Sequence, residues 1–252
     1  VAAVVRGEAI MTVSNPKYQD LRFNADDNRW ESAKAIIGDR RVTLGPQASQ
    51  QWLDAPDHLA MVLARYRAAA ALIGGAQNVL EIGCGEGIGA GILAKNRELY
   101  VGADTDADAI AIANETLTQR GRTDQRRMSF VVADACVHEP NEVGAFDAAV
   151  SLDVIEHIPA EREADFMRAT TRSLLGGAGV FVIGTPSLRA EHLASPQSVA
   201  GHINLYNHER LKRLMGFYFH VVQMMGMQDT AIHFGHPEMF HYILGVGIGP
   251  KR

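Results

Sequence analysis

Cysteine is scarce: only Cys84 and Cys136 occur in 252 residues. Two thiols cannot make a disulfide framework, and their rarity fits a reducing, cytoplasmic setting. Long hydrophobic runs are also missing, because Arg65 and Arg67 interrupt the longest apolar candidate. No stretch reaches the length a membrane-spanning helix needs. The apolar opening residues are cut by Arg6 and Glu8, short of a signal-peptide core, which argues against export. Charge of one sign is nowhere concentrated, and the formal net charge is −5. A polyanionic partner such as nucleic acid therefore finds no basic block to bind, and a nucleic-acid substrate is not expected. Internal repeats and low-complexity segments are absent as well.

What is present is a chain with 47% hydrophobic residues, enough for one generous domain core. From Asn78 onward, apolar β-rich runs alternate with helical patterns, the rhythm of βαβ units around a mainly parallel sheet. The strand runs are Asn78–Ile82, Leu99–Ala103, Met128–Val132, Phe146–Leu152 and Gly179–Ile183, and their near-continuous apolar character suits strands covered on both faces. Helices are expected at Gly87–Lys95, Ala107–Gln119, briefly near Val154, and at Ala160–Leu175. Residues 186–207 then carry no periodicity, which in a compact domain points to a functional loop. A helix at Glu209–Met215 and two strands, Phe219–Met225 and Phe240–Val246, follow. Upstream, Leu59, Val62, Leu63 and Tyr66 give Leu59–Leu72 the spacing of an amphipathic helix. The weaker region before it holds both tryptophans, Trp30 and Trp52, and reads as a cap on the sheet edge.

The sharpest chemical signal is VLEIGCGEG, Val79–Gly87. A strand runs into three alternate glycines and then a helix, a turn whose backbone N–H groups can approach a ligand closely. The helix N-terminus behind it favours a negative group such as a carboxylate. A ligand-free glycine turn is the plain alternative, and a dinucleotide site is a second, since Gly85, Gly87 and Ala90 fit its GxGxxA form. The second strand then ends at Asp104, in position to accept ribose hydroxyls, with Thr105 beside it. Asp106 is better placed to cap the following helix. Asp134 and Ala135, directly after the third strand, could meet an adenine ring. Phe146–Ile158, FDAAVSLDVIEHI, breaks at Ser151, and Leu152 with the following turn would wall the same cleft.

Taken together, VLEIGCGEG, GADTD, VVADA and FDAAVSLDVIEHI resemble the class I S-adenosylmethionine-dependent methyltransferases in order and spacing, over about residues 76–185. A weaker likeness runs through GHINLYNHERL and is closest to small-molecule branches such as ubiquinone-pathway and sugar methyltransferases. The resemblance implies a doubly wound, Rossmann-like α/β fold: a seven-stranded, mostly parallel sheet with an antiparallel last strand and helices on both faces. It implies S-adenosyl-L-methionine as cofactor, held by Glu81, Gly83, Cys84, Gly85 and Gly87, by Asp104 and Thr105 at the ribose, by Asp134 and Ala135 at the adenine, and by Ser151 and Leu152 at the reaction centre. The expected organisation is a tail at 1–16, a helical cap at 17–75, and the methyltransferase domain at 76–252 with a lid loop at 186–207.

Methyl transfer asks mainly for alignment of the acceptor with an already activated carbon, plus proton removal when the acceptor is a hydroxyl. Seven of the ten histidines lie between His192 and His241. His202, in the long loop, is the first candidate base and His157 the second, although the EHI turn also suits a structural role for His157. Arg189, His192, Asn204 and Tyr206 give that loop a polar character suited to acceptor recognition. His233, His236 and His241 match no metal-ligand spacing, and no metal is expected. Arg65 and Tyr66 could reach the cofactor carboxylate, or be a surface cation beside a buried ring. Gln51 and Trp52 could lie over the same cleft. The expected partner is a small-molecule methyl acceptor, a hydroxyl or amine of a sugar, quinone precursor or similar metabolite, with a homodimer compatible. The competing functional class is a cofactor-binding scaffold or sensor without transfer activity.

Overall fold

The structure is a computed structural model that describes residues 29–38, 41–137 and 145–251. The expected tail at 1–16 and the first part of the cap lie outside the described residues. Contacts divide the chain between Arg41 and Val42. In the first unit, α1 (Arg29–Ile37) is described, with Lys34 paired to Glu31 one turn away. All further elements belong to the second unit.

That unit opens with α2 (Pro46–Asp54) and α3 (Pro56–Leu72), each started by a proline whose missing N–H costs nothing in a first turn. Strands β1 (Asn78–Ile82), β2 (Leu99–Asp104), β3 (Met128–Val132), β4 (Ala148–Leu152) and β5 (Val180–Pro186) pair in parallel. Between them come α4 (Ala90–Leu93), α5 (Ala107–Thr118), α6 (Arg122–Arg127) and α7 (Glu163–Ser173). After β5 follow α8 (Pro196–Gly201), α9 (His208–Tyr218), β6 (Phe219–Gln228), β7 (Ala231–His233) and β8 (Tyr242–Pro250). The sheet order is β3-β2-β1-β4-β5-β8-β6-β7. β8 runs antiparallel between β5 and β6, so β6 points the same way as the first five strands.

Alternation along the buried strands supplies both faces of this sheet. Val79, Tyr100, Val150, Val182 and Leu244 pack with Ala69 of α3, Leu93 of α4 and Ile110 of α5. Leu80, Ala149, Phe181, Ile183 and Ile243 pack with Phe166 and Met167 of α7 and Leu211 and Met215 of α9. Strands buried on both faces need such a continuous apolar supply, which is why they were visible as runs. The strand order reverses between β1 and β4, and in open α/β sheets the crevice at that switch point takes the ligand.

Several expectations need correction. Among the described residues the sheet has eight strands, because the chain after β6 turns back to add β7 at the edge. The helix expected over Gly87–Lys95 forms only at Ala90–Leu93, since the glycine turn extends past Gly87. The segment 186–207 is not structureless: a 3-10 stretch, Leu188–Leu193, is capped by Ser187, and α8 is capped by Ser195. The polar α6 had no apolar stripe by which to be seen. Finally, α2 and α3 fall in the same compact unit as the sheet, and α3 packs on a sheet face, so residue 76 is not a structural boundary.

Candidate active site

A cavity of about 660 Å³ opens at the carboxyl ends of β1, β2 and β4. Its wall includes Gly83, Cys84 and Gly85 from the glycine turn, Asp104 and Thr105 after β2, Asp134 and Ala135 after β3, and Leu152 to Val154 after β4. Gln47, Ala48 and Gln51 of α2 and His58, Val62 and Arg65 of α3 close one side, while Pro186, Ser198 and His202 come from the segment after β5. The volume lies within the roughly 300–1,000 Å³ usual for small-molecule sites.

The glycine turn is built as its sequence demands. Gly83 has φ +78°, and a Cβ placed there would come within 2.1 Å of a Val154 methyl group. The Gly85 N–H donates to Asp104 Oδ2 at 2.8 Å, and the Asp106 N–H donates to Oδ1 at 3.0 Å. A carboxylate offers about four acceptor positions, so Asp104 keeps capacity towards the cavity while bracing the turn. Asp106 caps α5 through the N–H groups of Asp108 and Ala109, as its position suggested.

Other expected residues sit elsewhere. Gly87 is outside the cavity wall, with φ +74°, and a Cβ there would meet the Phe130 ring at 3.1 Å. Glu81 is also outside it, 1% exposed, accepting a hydrogen bond from Tyr100 and held by Tyr66. Burial pushes its pKa up to about 7, against the tyrosine hydrogen bonds that favour the charged form. Ser151 is buried behind Leu152, with its hydroxyl unpartnered. Asp134 accepts the Cys136 N–H at 2.8 Å and pairs with Arg162 at 3.1 Å. Burial works against its charge, but these partners outweigh that and lower its pKa.

Arg65 reaches the cavity but is already committed. Its Nη1 lies 2.9 and 3.0 Å from the two oxygens of Asp153, and the guanidinium stacks 4.0 Å from the Tyr242 ring centre. Asp153 has φ +59°, a conformation uncommon for a residue with a Cβ, and it turns the chain out of β4. The acidic partner 88 residues downstream was invisible in the sequence.

The two candidate bases meet. The His157 and His202 rings stand edge to face at 4.9 Å, and His157 Nδ1 lies 2.9 Å from the Gly201 carbonyl. Burial, then the neighbouring His157, lowers the pKa of His202. Below them Glu156, fully buried, accepts from the Thr185 hydroxyl at 2.9 Å, while its Oε1 has no hydrogen-bond partner among the described residues. Burial, then Asp153, raises the pKa of Glu156 to about 8. Glu156, His157 and His202 each present a ligand atom within 4.8 Å of the others. Sequence reasoning missed Glu156 because a buried carboxylate inside an EHI turn carries no periodic signal.

The rest of the segment after β5 is scaffolding. Asn204 and Tyr206, expected to face an acceptor, are buried; Asn204 donates to the Ile158 carbonyl, Glu163 and the Tyr206 hydroxyl. The Ile203 and Asn204 N–H groups both donate to the Glu156 carbonyl, at 2.9 and 3.0 Å, and so pin His202 over the turn. Arg189 pairs with Glu238, and His192 turns back to the Arg189 carbonyl. Trp52 is 63% exposed, whereas its neighbour Gln51 lines the cavity.

Comparison with known proteins agrees with this geometry. Residues 80–181 match the family described as a methyltransferase domain. The chain is 30% identical over 105 residues to a ubiquinone biosynthesis O-methyltransferase of Sodalis glossinidius, covering 42% of this chain and 40% of that one. It is 30% identical over 112 residues to a probable S-adenosylmethionine-dependent methyltransferase of Mycobacterium tuberculosis, covering 44% and 36%. The matches thus span less than half the length of these curated relatives. Among solved structures, the methyltransferase domain of bacterial CtHen1 superposes with a TM-score of 0.63 at 18% identity, over 75% of this chain and 99% of that one. Residues 80–181 thus match a methyltransferase-domain family, and the chain is similar over that part to S-adenosylmethionine-dependent methyltransferases.

Proposed function

We propose that the protein transfers a methyl group from S-adenosylmethionine to a hydroxyl or amine of a small molecule. The single observation behind this reading is the cavity itself, which joins the glycine turn, Asp104 and Asp134 on one side to the histidine pair on the other. The cofactor, when bound, supplies a methyl carbon activated by sulfonium.

The residues fit such a molecule. Gly83 and Gly85 bring backbone to the amino-acid end, Asp104 accepts from ribose hydroxyls, and Asp134 with Ala135 meets the adenine. Val62, Ile82, Val154 and Ile158 give the wall apolar patches that exclude water from a cationic sulfur. The net charge of −5 disfavours a polyanionic acceptor. The ubiquinone-pathway relative supports an oxygen acceptor within the small-molecule class.

Calorimetric titration with S-adenosylhomocysteine and with NAD tests the cofactor, and release of S-adenosylhomocysteine in the presence of hydroxyl and amine metabolites tests transfer. Tight binding of the first ligand alone is expected. Preference for NAD would overturn the reading.

A further inference from the structure

We propose that Glu156, His157 and His202 form a binding site for a divalent transition cation of the Mn²⁺, Co²⁺ or Zn²⁺ class, opening onto the cavity. Three ligand atoms within 4.8 Å of one another are a spacing one ion can bridge. Two imidazoles and one carboxylate are a donor set for first-row divalent ions that leaves coordination positions open.

Each ligand is prepared for the role by what holds it. His157 Nδ1 is turned to the Gly201 carbonyl at 2.9 Å, so it carries the proton and Nε2 keeps a lone pair. Such a carbonyl or carboxylate partner on the far nitrogen is the usual support of a metal-bound imidazole. His202 is fixed from behind by the two N–H groups that the next residues donate to the Glu156 carbonyl. Glu156 has one oxygen on Thr185, and the other, buried, faces no donor. An unpaired buried carboxylate oxygen is costly. A cation bridging to the histidines resolves that cost, and no donor among the described residues does. Nearby Asp153 adds negative charge, partly offset by Arg65.

The inference rests on the proposed transfer reading for its purpose. Because His157 and His202 belong to the cavity wall, the open coordination positions face a bound acceptor. The acceptor class that fits is a hydroxyl with a neighbouring oxygen able to bind in two positions. In that reaction the acceptor O–H releases its proton to water and its oxygen forms the bond to the methyl carbon. The sulfur–carbon bond breaks, and the sulfur keeps the electron pair as the thioether of S-adenosylhomocysteine. A cation that lowers the hydroxyl's pKa takes the place of a general base.

The test is a metal titration of chelator-treated protein saturated with S-adenosylhomocysteine, reading Co²⁺ by visible absorption and Mn²⁺ by electron paramagnetic resonance. One equivalent should bind. The double variant His157→Ala/His202→Ala removes two surface-accessible ligands and should weaken binding more than about a hundredfold, beyond the 10- to 100-fold of lost supporting contacts. Glu156→Gln, which keeps a partner for Thr185, should weaken it at least about tenfold by the same scale, with folding checked by thermal melt. His233→Ala/His236→Ala, at an exposed pair elsewhere, should leave it intact. Absence of stoichiometric binding, or binding unchanged in the double variant, overturns the site. S-adenosylhomocysteine binding by the chelated protein tests the cofactor reading separately, so the two failures are distinguishable.

Discussion

The Gly85 N–H and the Asp104 carboxylate, 2.8 Å apart, tie the turn after β1 to the end of β2. The side chain proposed to meet a ribose thus also sets the shape of the loop proposed to face the amino-acid end. Asp104→Ala should weaken S-adenosylhomocysteine binding through both effects. A hydrogen bond to a charged group contributes about 1.5–3 kcal/mol, so a loss of roughly ten- to a hundredfold in Kd is expected. Calorimetry on the folded variant checks it, and an unchanged Kd would move the ribose contact elsewhere.

Gly83→Ala should lose both stability and cofactor binding, since its φ of +78° is strained for alanine and the new methyl meets Val154 at 2.1 Å. The backbone strain alone is about 1–2 kcal/mol. Adding Val154→Ala removes the colliding methyl and should recover part of the loss, leaving only the strain. Urea melts of both variants separate the two contributions, and no recovery in the double variant would show that the collision is not what matters.

How much of this was legible beforehand follows from range. The strand and the glycine turn within Val79–Gly87 are legible because they are local patterns, and the Asp106 cap follows from its place after a strand. Arg65–Asp153 spans 88 residues, and nothing near either residue announces the other. The histidine pair was named in the sequence as two separate candidates. Their meeting depends on Asn204, Glu163 and Arg210, which fold the chain after β5 back onto the EHI turn. Glu81 was misplaced for a related reason: its strand position was right, but alternation turns its side chain into the core towards Tyr66 and Tyr100.

Glu81 also makes stability depend on pH. Its carboxyl is raised from the ordinary 4.5 to about 7 by burial, with Tyr66, Tyr100 and Asp104 around it. The folded protein therefore holds a proton that the unfolded chain has released between those values. The stabilisation is fully present below about pH 4.5 and is lost as pH rises towards 7, by linkage. Glu81→Gln should flatten that slope in denaturant melts taken between pH 5 and 7. A slope identical in the variant would assign the effect to another group.

Arg65 and Asp153 make a contact only 12% and 33% exposed at the side chain. Removing one partner should cost about 1–3 kcal/mol, because the other is left partly buried without its hydrogen bonds. Arg65→Met should therefore destabilise more when Asp153 is present than when it is Asn. A double-mutant cycle by thermal melts gives the coupling, and additivity would mean the pair contributes nothing beyond its separate parts.

The last prediction concerns how α2 is held at the cavity. Gly45, the residue before it, supplies no side-chain cap. Glu86 of the glycine turn does so instead, accepting the Gln47 N–H at 2.9 Å and the Ala48 N–H at 3.1 Å. A negative group at a helix N-terminus is favourable both as a hydrogen-bond acceptor and against the helix dipole. Because Gln47, Ala48 and Gln51 line the cavity, this cap fastens one wall of the site to the turn opposite. Glu86→Ala should cost about 0.5–2 kcal/mol, the range for loss of a cap, and amide exchange at Gln47 and Ala48 should quicken. S-adenosylhomocysteine binding should weaken, while exchange in the central strands stays slow. Exchange at Gln47 and Ala48 unchanged in Glu86→Ala would mean that α2 is held by its packing on α3 and not by this carboxylate.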